Sequence, residues 1–197
     1  GSNIARVLYV NGFRVVAVSD SRGALYEPGG IDIPRVMEVK ARTGIIDRGT
    51  CFSLQPHPGP CQTFTNKELL ELPVDILVPA ALEDQITAEN ADKIQARVIL
   101  EMANGPTSRE ADEMLARRGV EIIPDILANS GGVVGSYFEW LQSLDQKYWS
   151  EAEVLAKIDE KLSEAFAAVC EKKKAFHASW RVASYIQALT RVASVMK

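Results

Sequence analysis

The segment at 120–137 constrains the fold most. A short apolar run at 120–123 reads as a strand. Behind it come Pro124, Asp125, Asn129, Ser130 and the pair Gly131-Gly132, where a chain turns off a strand end into a helix. In open α/β sheets, ligands sit beyond the carboxyl ends of the strands, so polar groups at such a turn face a site. The plain alternative is a helix start with Asn129 as its cap and the glycines present for close packing. On this segment alone both readings stand. Three other turns repeat the pattern: Glu-Met-Ala-Asn-Gly-Pro-Thr at 101–107, Val-Pro-Ala-Ala-Leu-Glu at 78–83 and Val-Ser-Asp-Ser-Arg-Gly at 18–23 each end an apolar run. Four strands that finish in small or polar residues are expected to be neighbours lining one crevice.

A length of 197 residues suits one domain with a real core, or at most two small ones. Net charge is −4 and the basic residues are scattered, so no nucleic-acid surface is indicated. The cluster Lys172-Lys173-Lys174 falls in a helical pattern and reads as a solvated face. No apolar run approaches the ~20 residues that cross a bilayer, and no secretory signal is seen. The expectation is a cytoplasmic protein with no membrane partner. Three cysteines, an odd number, argue against a disulfide framework. Cys51, His57 and Cys61 are ligand types in one loop, but structural zinc wants a fourth ligand and tighter pairing, so no metal is expected. His177, near a helix junction, is assigned a surface or packing role.

Helix and strand patterns alternate along most of the chain. Residues 4–10 have helical spacing with Gly12 as the stop; 15–18 read as a strand and 33–41 as a helix. Residues 45–64 look like an irregular surface excursion. A short helix at 66–72 precedes a strand at 74–78. Thr87 precedes a second helix through Glu89 and Ile94, followed by a strand at 98–100. Thr107-Ser108-Arg109-Glu110 has capping-box spacing before a helix that stops at Gly119. Strands alternating with short helices imply parallel βαβ units, and nearly all-apolar strands imply helices on both sheet faces. Beyond Ser136 the chain reads as helical. Ser150-Glu151-Ala152-Glu153 is a second capping box, opening a helix with Val154, Ile158, Leu162, Ala165, Phe166 and Val169 in a stripe. A last helix carries Val182, Tyr185, Ile186, Leu189 and Val192. Both stripes read as core or subunit packing faces.

The expected architecture is α/β: a Rossmann-type, doubly wound parallel sheet lacking its first strand, with C-terminal helices. A dinucleotide-binding unit normally opens with a strand and a G-x-G-x-x-G turn. Here the first pattern met is a helix, and Gly1 is either the last glycine of that turn or, with Ser2, a cloning remnant. The residues are assigned to a single domain, with 1–147 as the α/β core and 148–197 as a helical segment. Asp20 ends the second strand of the scheme, where an acidic residue accepts hydrogen bonds from the adenine ribose. Its alternative role is that of a turn residue before Gly23.

With these strings in view, the chain resembles the nucleotide-binding domain of the glutamate dehydrogenases, within the glutamate, leucine, phenylalanine and valine dehydrogenase superfamily. The strings at 18–23, 78–83, 103–107 and 124–133, with Ser136-Tyr137-Phe138-Glu139-Trp140, carry the likeness over nearly the whole length. The resemblance implies NAD- or NADP-dependent oxidative deamination of L-glutamate to 2-oxoglutarate and ammonia, in a homo-oligomer, a hexamer by family. It assigns Asp20 and Ser21 to the adenine ribose and Ala80 and Ala81 to the dinucleotide path. Asn104 and Asn129 fall near the nicotinamide and its ribose. Val133 and Ser136 fall in the substrate pocket, where the Ser136 hydroxyl suits the glutamate side-chain carboxylate.

Two positions depart from the family pattern: Met102 stands where glycine is usual, and Ser130 where alanine is usual. The lysine and aspartate that move protons in the family belong to an amino-terminal substrate domain that these residues do not match, so no catalytic group is assigned here. The residues alone are expected to bind NAD(P) weakly and to turn over no glutamate. Competing readings are another amino acid dehydrogenase of the superfamily, acting on leucine, phenylalanine or valine, and a non-catalytic structural or interaction module. Asp20 disfavours a 2′-phosphate while Arg22 favours one, leaving NAD against NADP open.

Overall fold

The computed structural model describes residues 1–46, 48–55 and 61–196. They form two compact units, Gly1–Pro73 with Lys93–Gln95, and Val74–Asp92 with the residues from Ala96 onward.

In the first unit, α1 (Ser2–Val10) precedes a hairpin of β1 (Ala17–Asp20) and β2 (Gly23–Tyr26). The two strands pair antiparallel, from Ala17 opposite Tyr26 to Asp20 opposite Gly23, and β3 (Gln62–Phe64) adds antiparallel to β2. This corrects the expectation that the run at 15–18 lies beside the later strands: β1 belongs to a separate sheet. Gly23 makes the hairpin feasible. Its φ is +143°, and a Cβ there would meet the Phe64 carbonyl oxygen at 3.1 Å. Helix α2 (Ile33–Thr43) starts where Asp32 accepts the Arg35 N–H and ends at Gly44 in the left-handed region, φ +77°. A short helix, α3 (Asn66–Leu70), follows β3. The core is Leu25, Ile31, Ile33, Val36 and Ile46, with Val15, Val18, Met37, Cys51 and Phe52 packed against it.

Residues 45–64 are more than a surface excursion. Ile46 is buried, Cys51 packs on the core and Gln62–Phe64 is a strand. Cys51 and Cys61 form a disulfide with Cα atoms 6.3 Å apart, against the expectation from their odd number. An odd total leaves one thiol over, here Cys170, without forbidding a pair. The pairing also removes two of the three groups considered for zinc; the third, His57, lies outside the described residues. Among the described residues no acidic, His or Cys cluster forms a metal site.

The second unit is built on a parallel sheet in the order β4 (Ile76–Leu77), β5 (Val98–Leu100) and β6 (Glu121–Ile123). Its layers are completed by α4 (Arg109–Arg117), α5 (Asp125–Ala128), α6 (Gly131–Asp145), α7 (Glu151–Phe176) and α8 (Trp180–Val195). Ile86, Ile99, Ala111 and Leu115 lose essentially all exposure. Each isoleucine or leucine among them contributes about 1.5–3 kcal/mol on burial. The helix expected after Thr87 does not form. The buried Asn90 side chain accepts the Thr87 N–H and donates to the Gln85 carbonyl, both at 2.9 Å, which holds turns in place of a helix. The cap of α4 is Ser108, whose hydroxyl accepts the Ala111 N–H, so no reciprocal box involves Thr107 or Glu110. The box at Ser150 and Glu153 is present in both directions.

Val154, Ile158, Leu162 and Ala165 of α7 are half-buried and Val169 is buried, whereas Val182, Tyr185, Leu189 and Val192 of α8 are exposed. The lysine cluster is not uniformly solvated: Lys173 pairs with Glu121 at 3.5 Å and sits over the Trp180 ring. His177 ends α7 in the left-handed region, φ +48°, and is exposed.

Candidate functional site

The expected site residues fall in both units, Asp20 and Ser21 in the first and the other six in the second. In the first, Ser21 and Arg22 are the two-residue turn of the β1–β2 hairpin, and Ser21 is exposed. Asp20 is largely engaged by the fold itself. Its Oδ1 accepts the Arg22 N–H at 2.9 Å and its Oδ2 the Ile46 N–H at 3.0 Å. Lys40 Nζ lies 3.6 Å from Oδ2, and the carboxylate side chain is 11% exposed. Oδ2 thus faces two donors, and Oδ1 keeps one lone pair for a further donor.

Burial opposes the charge on Asp20, but the two backbone donors and then the Lys40 ammonium outweigh it, holding the carboxyl below its ordinary value. A folded-state pKa below the unfolded one stabilises the fold above the carboxylate range, and the gain fades as pH falls through the depressed value. Asp20→Asn is therefore expected to cost about 1–3 kcal/mol at neutral pH, the worth of hydrogen bonds to a charged group. The gap between wild type and variant should begin to close below about pH 4, where the unfolded carboxyl protonates, and vanish as pH falls through the lower folded value. Urea midpoints across pH measure this, and a gap constant with pH would show that the charge contributes nothing.

In the second unit three turns at the carboxyl ends of the parallel strands are cross-linked. The Pro79 carbonyl after β4 accepts the N–H groups of Met102 and Ala103 after β5, at 3.0 and 2.9 Å. Asp125 Oδ2, beyond β6, accepts the Gly105 N–H at 2.8 Å. Gly105 has φ +54°, which a side chain would strain. The Asn129 amide nitrogen donates to Asn104 Oδ1 at 2.7 Å and, at 3.4 Å, to the Ala103 carbonyl. So the two asparagines, 25 residues apart, meet. Their contact leaves the Asn104 amide nitrogen and the Asn129 amide oxygen, one donor and one acceptor, for something else. Ala80 is half-buried and Ala81 exposed in the turn that Pro79 begins.

The two glycines that open α6 have different surroundings. A Cβ on Gly131 would make ordinary contact with Leu162 and Ile158, and one on Gly135 with Ile158, so these positions seat α6 on α7. At Gly132 a Cβ would meet nothing within 4 Å. Packing accounts for Gly131 and Gly135 and leaves Gly132 unexplained. Asn129 does not act as the side-chain cap of α6, whose N-cap is Ser130 without a side-chain bond. Ser130 instead donates to the Leu127 carbonyl at 2.8 Å, so its hydroxyl, one of the departures, is satisfied within α5. Met102, the other, is half-buried with its N–H on Pro79. Val133 and Ser136 lie one turn apart on α6, both exposed, Val133 at 75%. The Ser136 hydroxyl has no protein partner among the described residues.

Sequence reasoning missed Asp125, Glu101 and Arg181, which hold these turns. Arg181 contacts Glu101, Asp112 and Asp125. The fully buried acid Glu101 was the available signal, since a strand-end carboxylate in an apolar setting needs a cation.

The family model for the glutamate/leucine/phenylalanine/valine dehydrogenases matches residues 1–197. The chain belongs to that family. It is 45% identical over 196 residues to the NADP-specific glutamate dehydrogenase of Synechocystis sp., covering 100% of this chain and 46% of that one. It is 42% identical to the NAD-specific glutamate dehydrogenase of Staphylococcus aureus, covering 100% and 45%. Among solved structures, the hetero-hexameric glutamate dehydrogenase of Thermus thermophilus superposes with a TM-score of 0.82 at 30% identity, covering 97% of this chain and 43% of that one. The glutamate dehydrogenase of Peptoniphilus asaccharolyticus does so with 0.79 at 32%, covering 100% and 43%. L-tryptophan dehydrogenase from Nostoc punctiforme shares the fold, with a TM-score of 0.66 at 21% identity. The chain thus spans slightly under half the length of the curated relatives it matches. No helix among the described residues is long and apolar enough to cross a membrane.

Proposed function

We propose that this chain is the nucleotide-binding part of an NAD(P)-dependent glutamate dehydrogenase, which converts L-glutamate to 2-oxoglutarate and ammonia within an oligomer. The observation that carries the reading is the asparagine pair at the carboxyl ends of the parallel strands, in a chain of this family. Asn104 and Asn129, joined by one hydrogen bond, keep a donor and an acceptor between them, the group types that a carboxamide such as that of nicotinamide takes up. The bare backbone at Gly132, three residues beyond Asn129, leaves room where a Cβ would stand. When bound, NAD(P)⁺ supplies the hydride acceptor. The chain's own residues orient it: Asn104 and Asn129 at the nicotinamide and its ribose, Ala80 and Ala81 along the dinucleotide, Asp20 and Ser21 at the adenine ribose. In this reading the fold is a Rossmann-type doubly wound sheet lacking its first strand, and 1–197 is one dinucleotide-binding domain with a helical segment from 148. Val133 and Ser136 belong to the glutamate pocket.

Gly132 tests the assignment, because function and stability pull in opposite directions there. Alanine in a helix is favoured over glycine by about 0.5–1 kcal/mol, and at Gly132 nothing obstructs its methyl group. Gly132→Ala should keep or raise thermal stability while lowering kcat/KM at least tenfold, in an enzyme that joins this chain to the substrate domain of the Synechocystis relative. Full activity in that variant would remove the site from this end of α6.

A further inference from the structure

Arg181 stands at the start of α8, 80 residues beyond Glu101. Its guanidinium reaches three carboxylates: Glu101 at 2.8 Å, Asp112 at 3.3 Å and Asp125 at 3.4 Å. Glu101 is fully buried, whereas Arg181, Asp112 and Asp125 keep about a quarter of their side-chain exposure. Burial acts against the Arg181 charge, but the hydrogen bond and charge of Glu101, followed by Asp112, outweigh it and raise its pKa.

Two of the three acids lead onward to the asparagine turns. Glu101 Oε2 accepts the Asp125 N–H at 2.9 Å. Asp125 Oδ2 accepts the Gly105 N–H at 2.8 Å, immediately after Asn104. The Asp125 carbonyl accepts the Asn129 N–H at 3.0 Å, one helical turn on. Asp112, on α4, has no such link. An unbroken run of charge-assisted hydrogen bonds thus joins the last helix to the Asn104 turn, and one further backbone bond carries it to Asn129.

We propose that Arg181 is a positioning residue of the dinucleotide site, holding the Asn104 turn and Asn129 in register through Glu101 and Asp125, a role that rests on the dehydrogenase reading. A planar fork is needed because Glu101 and Asp125 are served by different guanidinium nitrogens. Lysine, a point charge, cannot serve both in the same geometry.

The test is hydrogen exchange of the full chain, comparing a peptide over 103–106 with one over 158–166 in α7. Arg181→Lys should speed exchange at Gly105 about tenfold, the scale of one lost hydrogen bond to a charged group, and leave the α7 peptide nearly unchanged. Arg181→Met should exceed it, and Asp112→Asn should leave Gly105 as in wild type. Unchanged exchange at Gly105, or equal acceleration in both peptides, would overturn the positioning role. The second readout is the KM for NAD(P)H in an enzyme joining this chain to the Synechocystis substrate domain. Arg181→Lys should raise it about tenfold with kcat altered far less. Faster exchange at Gly105 with an unaltered KM would leave the structural link standing and overturn the assignment of Asn104 to the cofactor.

Discussion

Arg181→Met is expected to destabilise the chain by about 3–5 kcal/mol, the cost of leaving a buried charge without its partner. The reason lies in the asymmetry of the cluster. One guanidinium serves three carboxylates, and Glu101, with no exposed surface, cannot turn to water when the cation is removed. Asp112 and Asp125 retain some exposure and can be hydrated. Glu101→Gln should cost markedly less, since the neutral amide still accepts from Asp125 or Arg181 and two acids remain for the cation. Urea or thermal unfolding of the two variants beside wild type measures the difference. A loss under about 1 kcal/mol for Arg181→Met would mean that Glu101 is not held there as a buried anion.

Ser136→Ala is expected to lower kcat/KM for glutamate by roughly one to two orders of magnitude, with far less effect on norvaline, whose side chain carries no charge. Losing a hydrogen bond to a charged group costs about 1.5–3 kcal/mol, and each 1.4 kcal/mol is about tenfold in rate. The hydroxyl lies exposed on α6, one turn from Val133, without a protein partner among the described residues. Its removal therefore leaves no buried group unsatisfied, and stability should stay within about 0.5 kcal/mol of wild type. Equal losses for glutamate and norvaline would place Ser136 outside the carboxylate pocket.

What could be read from the sequence divides by range. Ser150 with Glu153 is a local signal, complete within a turn of helix, and acts as its residue types suggest. The parallel strands were legible because their residues, Glu121 apart, are apolar. The hairpin at 17–26 was not, since its four-residue strands are half-buried or buried at all but one position and give no alternation, and the constraint at Gly23 comes from Phe64. The stretch after Thr87 had helical composition, but one buried asparagine diverted its backbone bonds. Counting cysteines could not find the pair at 51 and 61, whose ring closes over ten residues. In the site, the strings at 101–107 and 124–133 marked the turns, and the structure brings Asn104 to Asn129. The support beneath them, from Arg181 to Glu101 and Asp125, spans 80 and 56 residues and carries no local pattern.

The central claim is that these residues form the cofactor-binding half of a glutamate dehydrogenase. It is tested most directly by replacing the matching part of the Synechocystis enzyme with this chain, 45% identical over 196 residues, and assaying the purified product. The account expects NAD(P)-dependent oxidation of glutamate, reduced at least tenfold by Asn104→Ala and preferred over leucine and phenylalanine. A folded, assembled product that oxidises leucine or phenylalanine in preference to glutamate, or that reduces neither NAD nor NADP, would contradict it.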